Sequence, residues 1–297
     1  MASALSDDRG QGEPVVRAAA SLSLRDFRLF QRLIHDVAGI HLSDAKRVLV
    51  EGRLARRLRE LALDFGGYYA RVEADEQERT RMLDCICTNE TRFFREPRQF
   101  EFLADRVFPE WQARAEAGRM PRRARVWSAG CSTGEEPFSV AMAFLDRFPP
   151  SSGWEIDILA TDLSTRVLDA SRAAVYRVEK AKEIPERLLK RFMLRGTGPR
   201  AGTMKAGPAL RSVVGFQRLN LNAEPFPLVG SFDLILCRNV LIYFDAPRKA
   251  RVLDRLLDRL DPRGYLFLGH AETVTGFSTR TRSAGPTVYV HAGRALA

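Results

Sequence analysis

The sequence predicts an α/β protein: a doubly wound, mostly parallel sheet preceded by a small N-terminal all-α domain and interrupted by an inserted β-subdomain. Three observations predict it. From residue 125 onward, short hydrophobic runs alternate with helical periodicity, the pattern of successive βαβ units. Residues 21–87 carry helical periodicity alone. Between 178 and 212 the alternation breaks into a stretch punctuated by Gly196, Gly198, Gly202 and Gly207.

Residues 1–20 are polar and rich in small side chains, with Asp7 and Asp8 early and no apolar signal-peptide core. They read as a disordered tail. Ser23 is placed to cap a first helix that turns Phe27, Phe30, Leu33 and Ile34 inward, and Ser43 a second with the stripe Val50, Leu54, Leu58, Leu61. Tyr68, Tyr69 and Val72 mark a third helix and residues 80–87 a fourth, and their short links predict a bundle over 21–87. The polar and aromatic segment 88–98 holds Phe93 and Phe94 between Arg92 and Arg95, more than a surface linker needs, and is expected to fold back over a cleft.

The remaining 99–297 forms the main domain. After a helix over 99–117, strands are expected near 125–129, 155–161, 213–219, 232–238 and 264–269, with helices near 135–147, 164–174 and 247–260. Asp261-Pro-Arg-Gly264 reads as the stop and turn before the fifth strand, and 276–290 as two antiparallel strands finishing the sheet. For 178–212 two readings stay open, a small subdomain of helix and β-ribbon or a flexible loop.

With 297 residues at 45% hydrophobic composition the chain can bury a large core and a small one. No apolar run approaches the roughly 18 residues a bilayer span needs, so a cytoplasmic protein is expected. The four cysteines, Cys85, Cys87, Cys131 and Cys237, lack C-x-x-C spacing and read as free thiols, with no metal expected. A net charge of +10 points to anionic partners without choosing among them. Its distribution says more: between Ala45 and Glu60, Lys46, Arg47, Arg53, Arg56, Arg57 and Arg59 face only Glu51 and Glu60.

The chemistry is concentrated in two stretches. Arg125-Val-Trp-Ser-Ala-Gly-Cys-Ser-Thr-Gly-Glu-Glu136 reads as strand, glycine-pivoted turn and helix start, and Ala160-Thr-Asp162 as a strand ending in an acid. In a doubly wound sheet this pair cradles an adenosine-containing cofactor, with the acid accepting from the ribose hydroxyls. The loop is not G-x-G-x-x-G, and two carboxylates after Gly134 would repel a pyrophosphate. They suit a cationic head, as in S-adenosylmethionine with its ammonium and sulfonium.

Four motifs in order, Asn89-Glu-Thr-Arg-Phe-Phe-Arg95, Ser132-Thr-Gly-Glu-Glu-Pro-Phe-Ser139, Ala160-Thr-Asp-Leu163 and Cys237-Arg-Asn-Val-Leu-Ile-Tyr-Phe244, resemble those of the CheR family of chemotaxis protein methyltransferases. The resemblance runs from about Ser21 to Val290 and implies a Rossmann-like class I methyltransferase that transfers methyl groups to glutamate side chains of chemoreceptors, leaving S-adenosylhomocysteine. It places cofactor contacts on Asn89, Thr91, Arg95, Glu136 or its neighbour Glu135, Asp162, Asn220, Leu221, Arg238 and Asn239. It puts Arg95 and Tyr243 near the transferred methyl. The basic helix, with Lys46, Arg53 and Arg57 on one flank and Arg56 further round, would dock the cytoplasmic helical domain of the receptor. A monomer working near receptor arrays is expected. Some relatives grip a receptor tail with the insert, but 196–208 offers no motif for that.

Two rivals remain from the residues themselves. A nucleic-acid methyltransferase would suit the basic charge, although the N/D-P-P-Y/F motif of amino-group methylators is absent. A cofactor-binding adaptor that transfers nothing would not require Arg95, Asp162 and Tyr243 together. His270, after the fifth strand, reads as a loop histidine, and Phe226 and Phe232 as core.

Overall fold

Helices α1 (Leu24–Ala38), α2 (Arg47–Leu61), α3 (Phe65–Ala74) and α4 (Glu76–Ile86) form the N-terminal bundle of the computed structural model, which describes residues 21–294 and leaves the expected tail outside them. Ser23 caps α1 as expected, its hydroxyl accepting from the Asp26 N–H at 3.0 Å. Ser43 does not cap α2. It precedes a single 3-10 turn, Asp44–Lys46, makes no side-chain capping bond, and α2 starts only at Arg47. The fourth helix begins four residues earlier than expected because Asp75 caps it, accepting from Gln77 and Glu78. Phe27, Phe30, Ile34, Val50, Leu54, Leu58, Tyr68 and Val72 fill the bundle core, while Leu33 and Leu61 sit at its margin.

The main domain opens with α5 (Pro97–Phe102), a π-helical stretch (Leu103–Val107) and α6 (Phe108–Glu116). Then follow β1 (Arg123–Ala129), α7 (Glu135–Arg147), β2 (Glu155–Asp162), α8 (Thr165–Ala173), β3 (Val175–Arg177), α9 (Glu186–Phe192), β4 (Met193–Arg195), β5 (Thr203–Ala206) and α10 (Pro208–Val213). The chain closes with β6 (Val214–Arg218), β7 (Phe232–Cys237), α11 (Ala246–Arg259), β8 (Leu260–Leu268), β9 (Thr281–Gly285) and β10 (Val288–His291).

The large sheet runs β6-β2-β1-β7-β8-β10-β9. Its first five strands are parallel, and β10 and β9 finish it antiparallel. Strand direction of winding reverses between β1 and β7, which puts a switch-point crevice at their carboxyl ends. Neighbours in β1 serve opposite faces: Val126 joins the layer with Phe138, Phe144 and Trp111, and Trp127 the layer with Phe226, Leu253 and Leu256. Phe226 and Phe232 are core, as read from the sequence. The expected turn before the fifth strand is absorbed into it: β8 starts at Leu260, and a register shift against β7 between Phe232 and Leu234 takes up the irregularity.

The insert is an ordered subdomain, a three-stranded antiparallel sheet in the order β3-β5-β4, and it begins at Val175. The bundle is fastened to the main domain by side chains from several elements. Asn220 Nδ2 donates to the Val37 carbonyl at 2.7 Å, His35 Nε2 meets Asp245 at 2.6 Å, and Thr165 donates to Asp84 at 2.7 Å. Ile40 and Phe244 add a β-bridge. A cleft remains between the two domains, above the switch point. Among the described residues no helix is long and apolar enough to cross a membrane.

Candidate active site

The cleft floor is the turn between β1 and α7. Gly130 sits at φ 82°, and a Cβ there would collide with the Val240 side chain. Only glycine lets this backbone approach the loop after β7. The turn is tied to the end of β2: Ser132 N–H donates to Asp162 Oδ2 at 2.9 Å, and Asp162 Oδ1 accepts from Ser164 N–H at 2.9 Å. Burial pushes the Asp162 carboxyl above its ordinary range, and these backbone donors pull it back toward ionisation.

One wall is the segment 89–96. Ser132 donates to the Asn89 carbonyl at 2.8 Å, Phe93 N–H to Glu183 at 2.9 Å, and Phe94 N–H to Ser139 Oγ at 2.9 Å. The Phe93 ring packs edge-on against Tyr176, with centroids 4.9 Å apart. The aromatic pair therefore anchors the segment while its polar residues border the cleft. Phe94 and Glu96 sit at φ 49° and 60°. Left-handed backbone at two non-glycine residues is characteristic of sites that hold functional side chains.

The cavity, about 350 Å³, is lined by Asn89, Thr91, Arg95, Glu136, Asp162, Asn220, Leu221, Arg238, Asn239 and Tyr243. The structure thus brings together every residue assigned to cofactor or catalysis except one. Glu135 is the correction. It is 1% exposed and turned to the insert, where Lys180 meets its carboxylate at 2.5 Å. Adjacent positions on a helix diverge by about 100°, so only one of the two glutamates can face the cleft. That one is Glu136, held by the Ser128 hydroxyl at 2.7 Å and by Arg238 at 3.3 Å. Burial raises its carboxyl pKa, and Arg238 and Ser128 act against the rise.

Arg238 works as a keystone rather than an open cation. Its buried guanidinium spans Glu136, Glu96 at 3.4 Å and the Arg95 carbonyl. Asn220 also serves two duties, since its carboxamide donates to Val37 and accepts from Asn222 N–H at 2.9 Å. Arg95 donates to the Glu90 carbonyl at 3.2 Å. Tyr243 is half-buried, and burial raises its hydroxyl pKa, with the neighbouring Thr88 and Arg53 acting against the rise.

The basic helix divides. Lys46 and Arg53 border the cavity, and Arg53 also donates to Thr88 at 2.9 Å. Arg56 projects into solvent, 85% exposed, paired with Glu60. Arg57 departs from the expected outward flank: it is turned inward onto Glu78, and its charge is spent there. Ser132, which opens one of the motifs, shapes the site through its bonds to Asp162 and Asn89, whereas Lys180 and Glu183 shape it without having been singled out in the sequence, both lying in the insert, which carries no motif. His270 is an exposed loop residue, 3.9 Å from Glu96.

Three observations fit a cationic adenosine cofactor. Asp162 stands at the end of β2, where a ribose would lie. The buried Asn89 Nδ2 has no partner among the described residues, as a donor awaiting a ligand would. Glu136 and Asp162 put two carboxylates in the cavity lining, as a sulfonium and ammonium favour, with Arg238 offsetting Glu136.

Two family models match the chain. The one described as the CheR methyltransferase SAM binding domain covers residues 89–290, and the CheR methyltransferase all-alpha domain covers 25–87. Chemotaxis protein methyltransferase 2 of Pseudomonas aeruginosa is 40% identical over 269 residues, 89% of this chain and 92% of its own. The chemotaxis protein methyltransferase of Escherichia coli K12 is 40% identical over 286 residues, 94% of this chain and 96% of its own. The cofactor is S-adenosylmethionine, and the chain belongs to the CheR methyltransferase family.

Proposed function

We propose that the protein methylates glutamate side chains in the acidic, helical cytoplasmic domain of chemoreceptors, as a monomeric cytoplasmic enzyme of chemotaxis-type signalling. The observation that carries this reading is that one cleft is lined by both signs of charge: Asp162 and Glu136, which suit a cationic donor, and Lys46, Arg53 and Arg95, which suit an anionic acceptor. The names of the relatives, chemotaxis protein methyltransferases, support it.

A glutamate carboxylate, with an ordinary pKa of about 4.3, is ionised at neutral pH and needs no general base. S-adenosylmethionine supplies a methyl on a sulfonium: the carboxylate oxygen forms the new C–O bond as the S–C bond breaks, its electron pair stays on sulfur, and no proton moves. The protein's part is alignment and exclusion of water, which in favourable systems supplies roughly 7–11 kcal/mol. An anion and a cation neutralise each other in this step, so removing water from the cleft favours it. Tyr243 keeps its hydroxyl proton at neutral pH, since a tyrosine ordinarily titrates near 10 and burial pushes this one higher. It can therefore orient the carboxylate by donating a hydrogen bond. Arg95, braced on the Glu90 carbonyl, draws the acceptor in without a two-pronged grip that would blunt it.

Tritiated S-adenosylmethionine incubated with receptor cytoplasmic fragments and, separately, with RNA tests the proposal. Label should enter the protein and leave as methanol in mild alkali, the mark of an ester. Base-stable label, or label in RNA alone, would overturn it.

A further inference from the structure

One buried carboxylate outside the cavity lining gathers the backbone of the loop that carries Asn239 and Tyr243. Glu272 is 5% exposed. Its Oε2 accepts from Asn239 N–H at 2.8 Å and Gly269 N–H at 2.7 Å, and its Oε1 from Ile242 N–H at 3.3 Å. Charge-assisted bonds of this kind are strong where water is excluded. Asn239 is held at φ 60°, a conformation that a non-glycine residue keeps only when its surroundings impose it. The fit is close: a Cβ on Gly269 would lie 2.6 Å from Asn239 Nδ2 and 2.8 Å from Asn239 N.

The same turn holds the opposite wall. It closes on itself through Glu272 N–H to the Gly269 carbonyl at 2.9 Å, and His270 N–H donates to Glu96 Oε1 at 3.1 Å. Glu96 directly follows Arg95. Two segments far apart in sequence, one ending in Arg95 and one leading to Tyr243, are thus pinned to a single four-residue turn.

We propose that Glu272 is a positioning residue for methyl transfer: through the Gly269–Glu272 turn it fixes Asn239 against the cofactor and sets the placement of Tyr243 relative to Arg95. The inference rests on the roles proposed above for Tyr243 and Arg95, but its first readouts need no receptor.

Three variants test it: Glu272→Leu, which removes all three acceptor contacts; Glu272→Gln, which keeps an oxygen for Asn239 and Gly269 and loses only the Ile242 bond; and Gly269→Ala, which keeps the carboxylate but presses on both Asn239 and Glu272 Oε2, 2.9 Å from the added Cβ. In Glu272→Leu, amide exchange at Asn239 and Ile242 should accelerate at least tenfold while β1 and β2 keep their protection. Affinity for S-adenosylhomocysteine should weaken about tenfold by calorimetry. On receptor fragments kcat should fall further than KM rises. Glu272→Gln should return to within about threefold of the parent in each, and Gly269→Ala should repeat the loss. Unchanged loop exchange and affinity in Glu272→Leu, or exchange rising equally throughout the sheet, sinks the proposal. Should Glu272→Leu not fold, Gly269→Ala decides by the same readouts. A parent enzyme that methylates no receptor fragment would count against the proposed function alone, because loop exchange and product affinity would still report on Glu272.

Discussion

Arg57 grips Glu78 in a two-pronged ion pair, Nε to Oε1 at 2.7 Å and Nη2 to Oε2 at 2.6 Å, linking α2 to α4 through a carboxylate that is fully buried. The Arg57 guanidinium holds the Glu78 carboxyl down at about 2, from an ordinary 4.5, despite the opposing effect of burial. A depressed carboxyl contributes stability above its unfolded pKa, and loses it as pH falls toward the folded one. Glu78→Gln should therefore destabilise the protein at pH 7, by about 1–3 kcal/mol for a buried group losing its partner. The gap to the parent should close between pH 4.5 and 2. Denaturant unfolding across that range checks both statements.

Lys180 is the partner of the buried Glu135 and also donates to the Thr91 carbonyl at 3.3 Å. Lys180→Met should cost about 1–3 kcal/mol, because it strands a buried acceptor. Glu135→Leu combined with Lys180→Met should cost less than the two single changes summed, which a double-mutant cycle measures.

Asp162→Ala removes the acid assigned to the ribose. A hydrogen bond to a charged group contributes about 1.5–3 kcal/mol, so affinity for S-adenosylhomocysteine should fall between about tenfold and 150-fold. Calorimetric titration gives the number. Near-native affinity in a folded variant would falsify the assignment.

Tyr243→Phe and Arg95→Ala should separate kinetically. Loss of the Tyr243 hydroxyl should lower kcat about tenfold or more with little change in cofactor affinity, as expected for an interaction made in the transition state. Arg95→Ala should raise KM for the receptor and also lower kcat. Steady-state kinetics with both substrates varied distinguishes the two patterns.

Lys46→Glu with Arg56→Glu should lower kcat/KM for receptor fragments about tenfold at low salt, and the deficit should shrink toward 1 M salt as screening grows. S-adenosylhomocysteine binding to the same variant should be retained. Arg57→Glu should instead appear first as instability, since its charge belongs to Glu78.

The parts of the site that were legible in the sequence are those set by local pattern. Val126 and Trp127 announce a strand buried on both faces, Gly130 a close approach, and Asp162 a strand end, because period and turn chemistry are written in neighbouring residues. What was not legible depends on which way a side chain turns once the fold closes. Glu135 and Glu136 are indistinguishable as letters; the insert claims one and the cleft the other. Arg57 looks solvated on a helical wheel until α4 brings Glu78 to it from 21 residues away. Ser43 has the chemistry of a cap, but the chain turns once more before α2 begins. Lys180 and Glu183 act across about 90 residues of sequence, where no periodicity could reveal them.

The sugar proposed to be gripped by Asp162 is the part of the donor that the reaction leaves unchanged. A seat built around it cannot tell a charged molecule from a spent one by that contact; only the acids facing the lost positive charge discriminate. The leftover will therefore compete for the same berth, and throughput will follow the ratio of fresh to used donor as well as the supply of methyl acceptor.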